Sequence, residues 1–136
     1  MPSKPNLLIA DDETSVTRTL QMIFELEGYK VHATYSAKDA IEALKNGVRY
    51  DGVIADLNME RENIGLRVAQ VASGLRPRPV VVICTGFATP ENARQALDLR
   101  VDYLATKPVD PEELTTTLRR LMHRRNEALN RKEGTW

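Results

Sequence analysis

Five side chains of this sequence are of types that could share one piece of chemistry: Asp11, Asp12, Asp56, Thr85 and Lys107. Three carboxylates brought together would raise one another's pKa unless a cation neutralised them. Mg²⁺ suits such a set, because it takes a few carboxylate oxygens and keeps several waters that exchange for phosphate oxygens. A carboxylate beside that ion can attack phosphorus and form an acyl phosphate, which makes Asp56 a candidate nucleophile. Phosphoryl transfer then needs in-line positioning and stabilising groups around the equatorial oxygens. The ion would meet one such oxygen, Lys107 a second and the Thr85 hydroxyl a third. Taken singly, an Asp-Asp pair, a strand-end hydroxyl and a loop lysine are all common on protein surfaces.

Their place in the chain gives them meaning. Each follows an apolar run that reads as a buried strand: Asn6–Ala10, Gly52–Ala55, Pro79–Cys84 and Val101–Ala105. In an open parallel sheet the carboxyl ends of the strands share one edge, and ligands bind in the crevice there. Between the runs, Val16, Leu20, Ile23 and Phe24 fall on one helical face, which Gly28 closes. Tyr29, Val31 and Ala33 alternate with Lys30, His32 and Thr34, the pattern of an edge strand with one less-buried face. Ser36 with Asp39 opens a second helix in the manner of a capping box, turning Ala37, Ala40, Ile41 and Leu44 inward as far as Gly47. A third helix runs roughly from Ile64 to Gly74. Thr89-Pro90 opens a fourth, carrying Ala93, Ala96 and Leu97, and Asp110-Pro111-Glu112-Glu113 opens a fifth. Five strands, each followed by a helix, predict an α/β doubly wound domain. Its five-stranded parallel sheet has order 2-1-3-4-5, with helices on both faces, as in the flavodoxin-like fold.

In the fifth helix Leu114, Leu118, Leu121, Met122 and Leu129 keep a helical stripe, and Arg125 interrupts it. Leu129 and Trp136 are expected beyond the core, as loose tail or as a contact for a partner or second subunit. Residues 131–136 are expected to fray. The whole chain, 1–136, reads as one domain, with a core of about 6–125 and a helical extension and tail of about 126–136.

Composition narrows the function classes. With 42% apolar and 28% charged residues the chain has the make-up of an ordinary globular protein. Its formal charge is zero; residues 111–136 hold six basic and four acidic side chains, read as a solvated helix face. Nothing in this balance argues for direct nucleic-acid binding. Cys84 is the single cysteine, so there is no intrachain disulfide and no thiolate metal cluster; at a strand end it acts as a small hydrophobe. No signal-peptide region and no membrane-spanning run is present, and the expected location is cytoplasmic, with no membrane contact. No Gly-x-Gly-x-x-Gly follows the first strand, which removes the argument for a dinucleotide. His32 and His123 are isolated and read as solvated.

Four segments carry a resemblance: Leu8-Ile9-Ala10-Asp11-Asp12-Glu13, Val53-Ile54-Ala55-Asp56-Leu57-Asn58-Met59, Cys84-Thr85-Gly86 and Asp102-Tyr103-Leu104-Ala105-Thr106-Lys107-Pro108. Together they resemble the receiver domains of two-component response regulators over essentially residues 6–125. The resemblance implies that Asp56 accepts a phosphoryl group from a histidine kinase or a histidine phosphotransfer protein. It also implies that Asp12, Asp56 and the backbone carbonyl of Asn58 ligate Mg²⁺, or Mn²⁺ in its place, with Asp11 acting mainly through water. Lys107 would contact the phosphoryl group, and the Lys107–Pro108 bond would be cis. Phosphorylation would draw Thr85 inward and let Tyr103 rotate into the vacated space. The surface of the fourth helix, fifth strand and fifth helix would change, toward an output partner, a missing effector domain or a second copy in a homodimer. The chain would be no enzyme beyond its own self-catalysed phosphorylation and dephosphorylation.

Three positions depart from that family's usual pattern. Glu60 replaces the proline that commonly follows Asn58-Met59, and Arg61-Glu62-Asn63-Ile64 makes the stretch before Gly65 one residue longer. A flexible, charged loop is expected there, able to select a kinase or alter phosphoryl lifetime. Arg100 stands where a glycine is expected; a left-handed backbone would strain it by about 1 kcal/mol or more. Phe87, two residues after Thr85, is expected to shield the acyl phosphate and slow its hydrolysis. Two other readings remain: a pseudo-receiver that keeps the fold without the chemistry, and an aspartyl-phosphate phosphatase. The second lacks the expected spacing of two between nucleophile and acid-base aspartate.

Overall fold

Every apolar run becomes a strand and every amphipathic stretch a helix in the computed structural model, which describes residues 3–134. The strands are β1 (Asn6–Ala10), β2 (Lys30–Thr34), β3 (Gly52–Asp56), β4 (Val80–Thr85) and β5 (Tyr103–Thr106). The helices are α1 (Thr14–Leu26), α2 (Ala37–Lys45), α3 (Gly65–Ser73), α4 (Pro90–Asp98) and α5 (Pro111–Gly134). All pairings are parallel and the order is β2-β1-β3-β4-β5, the doubly wound arrangement expected. β5 starts two residues later than its apolar run suggests. Its entry is shaped by Asp102, whose carboxylate accepts from Val81 N–H at 2.8 Å.

Strand side chains alternate between the two faces, and two cores result. Leu7, Ile9, Ile54, Val82, Cys84 and Ala105 pack with Leu20 and Phe24 of α1 and with Leu114, Leu118 and Met122 of α5. Leu8, Ala10, Val53, Ala55, Val81 and Ile83 pack with Ala40 and Leu44 of α2 and with Val68, Ala69 and Ala72 of α3. Register levels the carboxyl ends: Ala10 lies opposite Ala55, Asp56 opposite Cys84 and Thr85 opposite Thr106. The residues that follow these pairs therefore meet at one rim.

Helix ends follow local chemistry. Thr89 and Asn92 form a reciprocal capping box at α4, with Pro90 at its first position. At α2 only half a capping box forms: Ser36 accepts from Asp39 N–H at 3.1 Å. Arg100 adopts φ +58°, the left-handed backbone its position implied. Arg100 N–H bonds Leu97 O and Val101 N–H bonds Ala96 O, which closes α4 in a Schellman motif. The Arg78 guanidinium donates to the Arg100 carbonyl and helps hold this strained turn.

The fold corrects several readings of individual side chains. Thr34, placed on the polar side of the edge strand, is buried, and its hydroxyl donates to Ile9 O at 2.8 Å. Leu97 is 73% exposed rather than inward, because Asn92 and Ala96 take the buried face of α4. Arg125 does not interrupt the α5 stripe but continues it: its guanidinium is largely buried and bonds Asp51 Oδ1 and Arg78 O. Residues 131–134 extend α5 instead of fraying, and Leu129 is half-buried within it. Trp136 lies outside the described residues.

Candidate functional site at the carboxyl rim of the sheet

Asp11 follows β1, Asp56 ends β3 and Lys107 follows β5, and strand parity turns all three toward the α1/α5 side of the rim. Lys107 Nζ lies 3.1 Å from Asp11 Oδ2 and 3.2 Å from Asp56 Oδ2, bridging two carboxylates that are 4% and 8% exposed as residues. Asp11 is fixed from three directions. Its N–H bonds Thr34 O, its Oδ1 accepts from Glu13 N–H at 2.9 Å, and its carbonyl accepts from the buried Thr17 hydroxyl at 2.9 Å. Lys107 N–H bonds Thr85 O at 2.7 Å, and Leu57 N–H bonds Cys84 O at 2.8 Å, so the strand ends are laced together past the rim. The Lys107–Pro108 bond is cis, as is Arg76–Pro77, which nothing in the sequence reading anticipated.

One carboxylate oxygen each from Asp11, Asp12 and Asp56 lie within 4.8 Å of one another, with Asp12 the exposed member. Three carboxylates against one ammonium leave a formal excess of two negative charges. Burial pushes the Asp56 carboxyl above its ordinary value; Lys107 pulls it down, Asp11 pushes it up again, and the Asn58 backbone N–H favours the charged form. Burial alone would lower the Lys107 ammonium, but Asp11 and Asp56 outweigh it and raise its pKa. An all-oxygen set with this excess charge fits a hard divalent cation. Cys84 lies beneath it but offers no soft ligand, since burial pushes its thiol up to about 12.

Thr85 does not join this cluster. Its parity is that of Ile83, toward the α2/α3 side, and its buried hydroxyl donates to Phe87 O at 3.1 Å while accepting from Phe87 N–H at 3.2 Å. The Phe87 ring is 77% exposed, so in this arrangement it covers little of the site. Tyr103 is half-buried, and its hydroxyl donates to Glu113 Oε1 of α5 at 2.9 Å. That hydrogen bond comes first, ahead of burial, in raising the Tyr103 pKa.

The loop after Asp56 is tied rather than loose. The Asn58 side chain accepts from Asn63 N–H at 2.7 Å, Asn63 takes a left-handed φ of +62°, and Gly65 N–H bonds Leu57 O at 2.8 Å. Gly65 packs so tightly that a Cβ there would stand 2.1 Å from Asp56 O. Glu60 leaves the loop to bond the first amides of α2. Sequence reasoning missed Thr17 and Glu60. The Thr17 bond spans six residues and was open to an N-terminal-turn argument, whereas the Glu60 contact spans 23 and leaves no local signal.

A 2-1-3-4-5 parallel sheet with an oxygen-rich, lysine-bridged acidic cluster at its carboxyl rim defines a flavodoxin-like signalling domain. A family model for the response regulator receiver domain matches residues 7–119, and the chain belongs to that family. It is 34% identical over 120 residues to the transcriptional regulatory protein ZraR of Salmonella typhimurium, covering 88% of this chain and 26% of that protein. It is 32% identical over 119 residues to the response regulator SaeR of Staphylococcus aureus, covering 88% of this chain and 51% of that one. The chain thus spans about a quarter to a half of these curated relatives. Among solved structures it is similar to a CheY-like receiver domain from Methanospirillum hungatei, with TM-score 0.87 and 25% identity over 93% of this chain and 99% of that one. A receiver protein from Sinorhizobium medicae gives TM-score 0.81 and 30% identity over 90% and 97%. Receiver domains serve two-component signalling. No helix among the described residues is long and apolar enough to cross a membrane.

Proposed function

We propose that Asp56 is the phosphoacceptor of this receiver domain and that its phosphorylation, dependent on Mg²⁺, changes an output surface. The observation that carries this reading is the excess of two negative charges around a bridging lysine at the rim. Asp11, Asp12, Asp56 and the Asn58 carbonyl would hold Mg²⁺, or Mn²⁺. When bound, such an ion neutralises charge on the transferring phosphoryl oxygens. The donor is a histidine kinase or a histidine phosphotransfer protein. An Asp56 oxygen forms the new P–O bond as the P–N bond to the donor imidazole breaks. Lys107, already 3.2 Å from Asp56, is placed to move from the carboxylate to a phosphoryl oxygen.

The switch has two restraints to release. Thr85 must give up its bonds to Phe87 to reach the phosphoryl group, and Tyr103 must leave Glu113 to turn inward. The surface altered is that of α4, β5 and α5, facing an output partner, an effector domain or a second copy. We read the chain as a single receiver domain over 1–136, cytoplasmic, with no enzymatic role beyond its own phosphoryl chemistry. A pseudo-receiver would need a missing acid, acceptor or lysine, and all are present.

Intact-mass spectrometry after incubation with a small acyl-phosphate donor and Mg²⁺ tests this. The expected result is gain of one phosphoryl group, lost in Asp56→Asn and in a chelated sample. No gain with either a small donor or a histidine-phosphorylated donor protein would overturn it.

A further inference from the structure

The loop that follows Asp56 is gripped from outside by one side chain. The Glu60 carboxylate accepts from the backbone N–H of Ala37 at 2.7 Å and of Lys38 at 3.1 Å, at the amino end of α2. Helices leave these first amides without internal partners, and their dipole favours a carboxylate there. Ser36 caps only the Asp39 amide, so Glu60 both completes the cap of α2 and fastens its own loop to that helix end. From Glu60 the constraint passes two residues back. Asn58 is closed onto Asn63 by its side chain, and it stands two residues after Asp56, between the Leu57–Cys84 and Leu57–Gly65 backbone bonds on one side and Glu60 on the other.

We infer that Glu60 is a positioning residue: by clamping the loop to α2 it holds Asn58 beside Asp56, and so sets divalent-cation affinity and the rate of phosphoryl uptake. The inference rests on the proposed role of Asp56. It also gives the extra loop residue a purpose, since the added length lets the loop reach α2 while Gly65 stays packed on Asp56.

Three variants of the full chain test it: Glu60→Ala, Glu60→Gln and Ser36→Ala. Mg²⁺ affinity is read by NMR titration on the Asn58 amide, without any phosphoryl donor, and uptake from a small acyl phosphate is timed separately. Groups that orient metal ligands typically contribute tenfold or more, so Glu60→Ala should weaken Mg²⁺ binding about tenfold. The Asn58 amide should shift in the metal-free protein, and phosphorylation should slow in step. Glu60→Gln keeps an acceptor oxygen and should recover most of the loss. Ser36→Ala, which weakens the same helix end without touching the loop, should leave affinity within about twofold. The inference is overturned if Glu60→Ala leaves the Asn58 amide and Mg²⁺ affinity unchanged, or if Ser36→Ala weakens binding as much. A protein that binds Mg²⁺ in a Glu60-dependent way yet takes no phosphate would sustain the clamp and sink the acceptor reading.

Discussion

At the amino ends of the strands, two arginines meet two aspartates. Arg125 lies 3.1 Å from Asp51 and Arg78 lies 3.1 Å from Asp102, while Asn6 N–H and Val81 N–H each fill a further acceptor site on those carboxylates at 2.8 Å. Arg125 also donates to Arg78 O, which links the two pairs. At the carboxyl ends, three aspartates gather beside one lysine that bridges only two of them, Asp11 and Asp56. The same side-chain chemistry balances charge at one rim and leaves it unbalanced at the other. The charge-balanced network serves the fold, even with Arg125 Nη2 buried and unpartnered among the described residues, whereas the acid-rich one carries an excess that fits a divalent cation. Functional sites are where such local rules are expected to be broken.

The sharpest way to separate the rims sterically is to add one methyl group at each. At the carboxyl rim Gly65→Ala drives a Cβ into backbone, and it should cost about 3 kcal/mol or more in urea unfolding. At the amino rim Gly52→Ala meets the flexible Met122 tip at 2.6 Å and Leu7 at 3.0 Å, and should cost about 1 kcal/mol. Next in size, Arg125→Met strands the Asp51 carboxylate and should destabilise by about 2–3 kcal/mol, independently of added metal. Mg²⁺ at about a hundred times its dissociation constant should stabilise the protein by about 2.7 kcal/mol, and Asp56→Asn should lose most of that gain. If the Arg125→Met loss were rescued by Mg²⁺, the division of roles between the rims would fail.

Smaller effects test the charge argument itself. In metal-free protein Asp56→Asn should raise stability by about 1 kcal/mol, whereas Asp51→Asn should lower it by a similar amount. The Asp56 pKa is raised in the folded state, so its contribution is fully present below the ordinary carboxylate value of 3.8 and is lost as pH rises through the folded value. The gain from Asp56→Asn should therefore grow across that window and stay flat above it. A gain that shrank with rising pH would show that Lys107 already compensates the cluster. The smallest expected change is none: Cys84, its thiol pushed up to about 12 by burial, should not react with a thiol reagent at pH 8 until the protein unfolds.

Strand order and the meeting of Asp11, Asp56 and Lys107 were legible because both follow from short-range signals, apolar runs and what stands at their ends. The failures were of another kind. Arg125 reads as a break in a stripe because the aspartate that makes its burial tolerable is 74 residues away. Leu97 reads as core because a period cannot show that Asn92, a polar residue in a capping box, takes the inward place. Glu60 reads as a loop charge because its partners are two backbone amides on another helix. Thr85 stands at the end of β4 as the apolar run indicates, but nothing in that run shows that its hydroxyl exchanges hydrogen bonds with Phe87.

α5 is the longest element, and Arg125 ties it to the far rim partway along its 24 residues. At 1.5 Å per residue, roughly 20 Å of helix lie before that tie and roughly 14 Å after it. The near arm carries Glu113, which holds Tyr103. Mechanically this is a beam clamped along its near arm, where buried Leu114, Leu118 and Met122 seat it on the sheet, and pinned again at Arg125, with the last stretch running on past the pin.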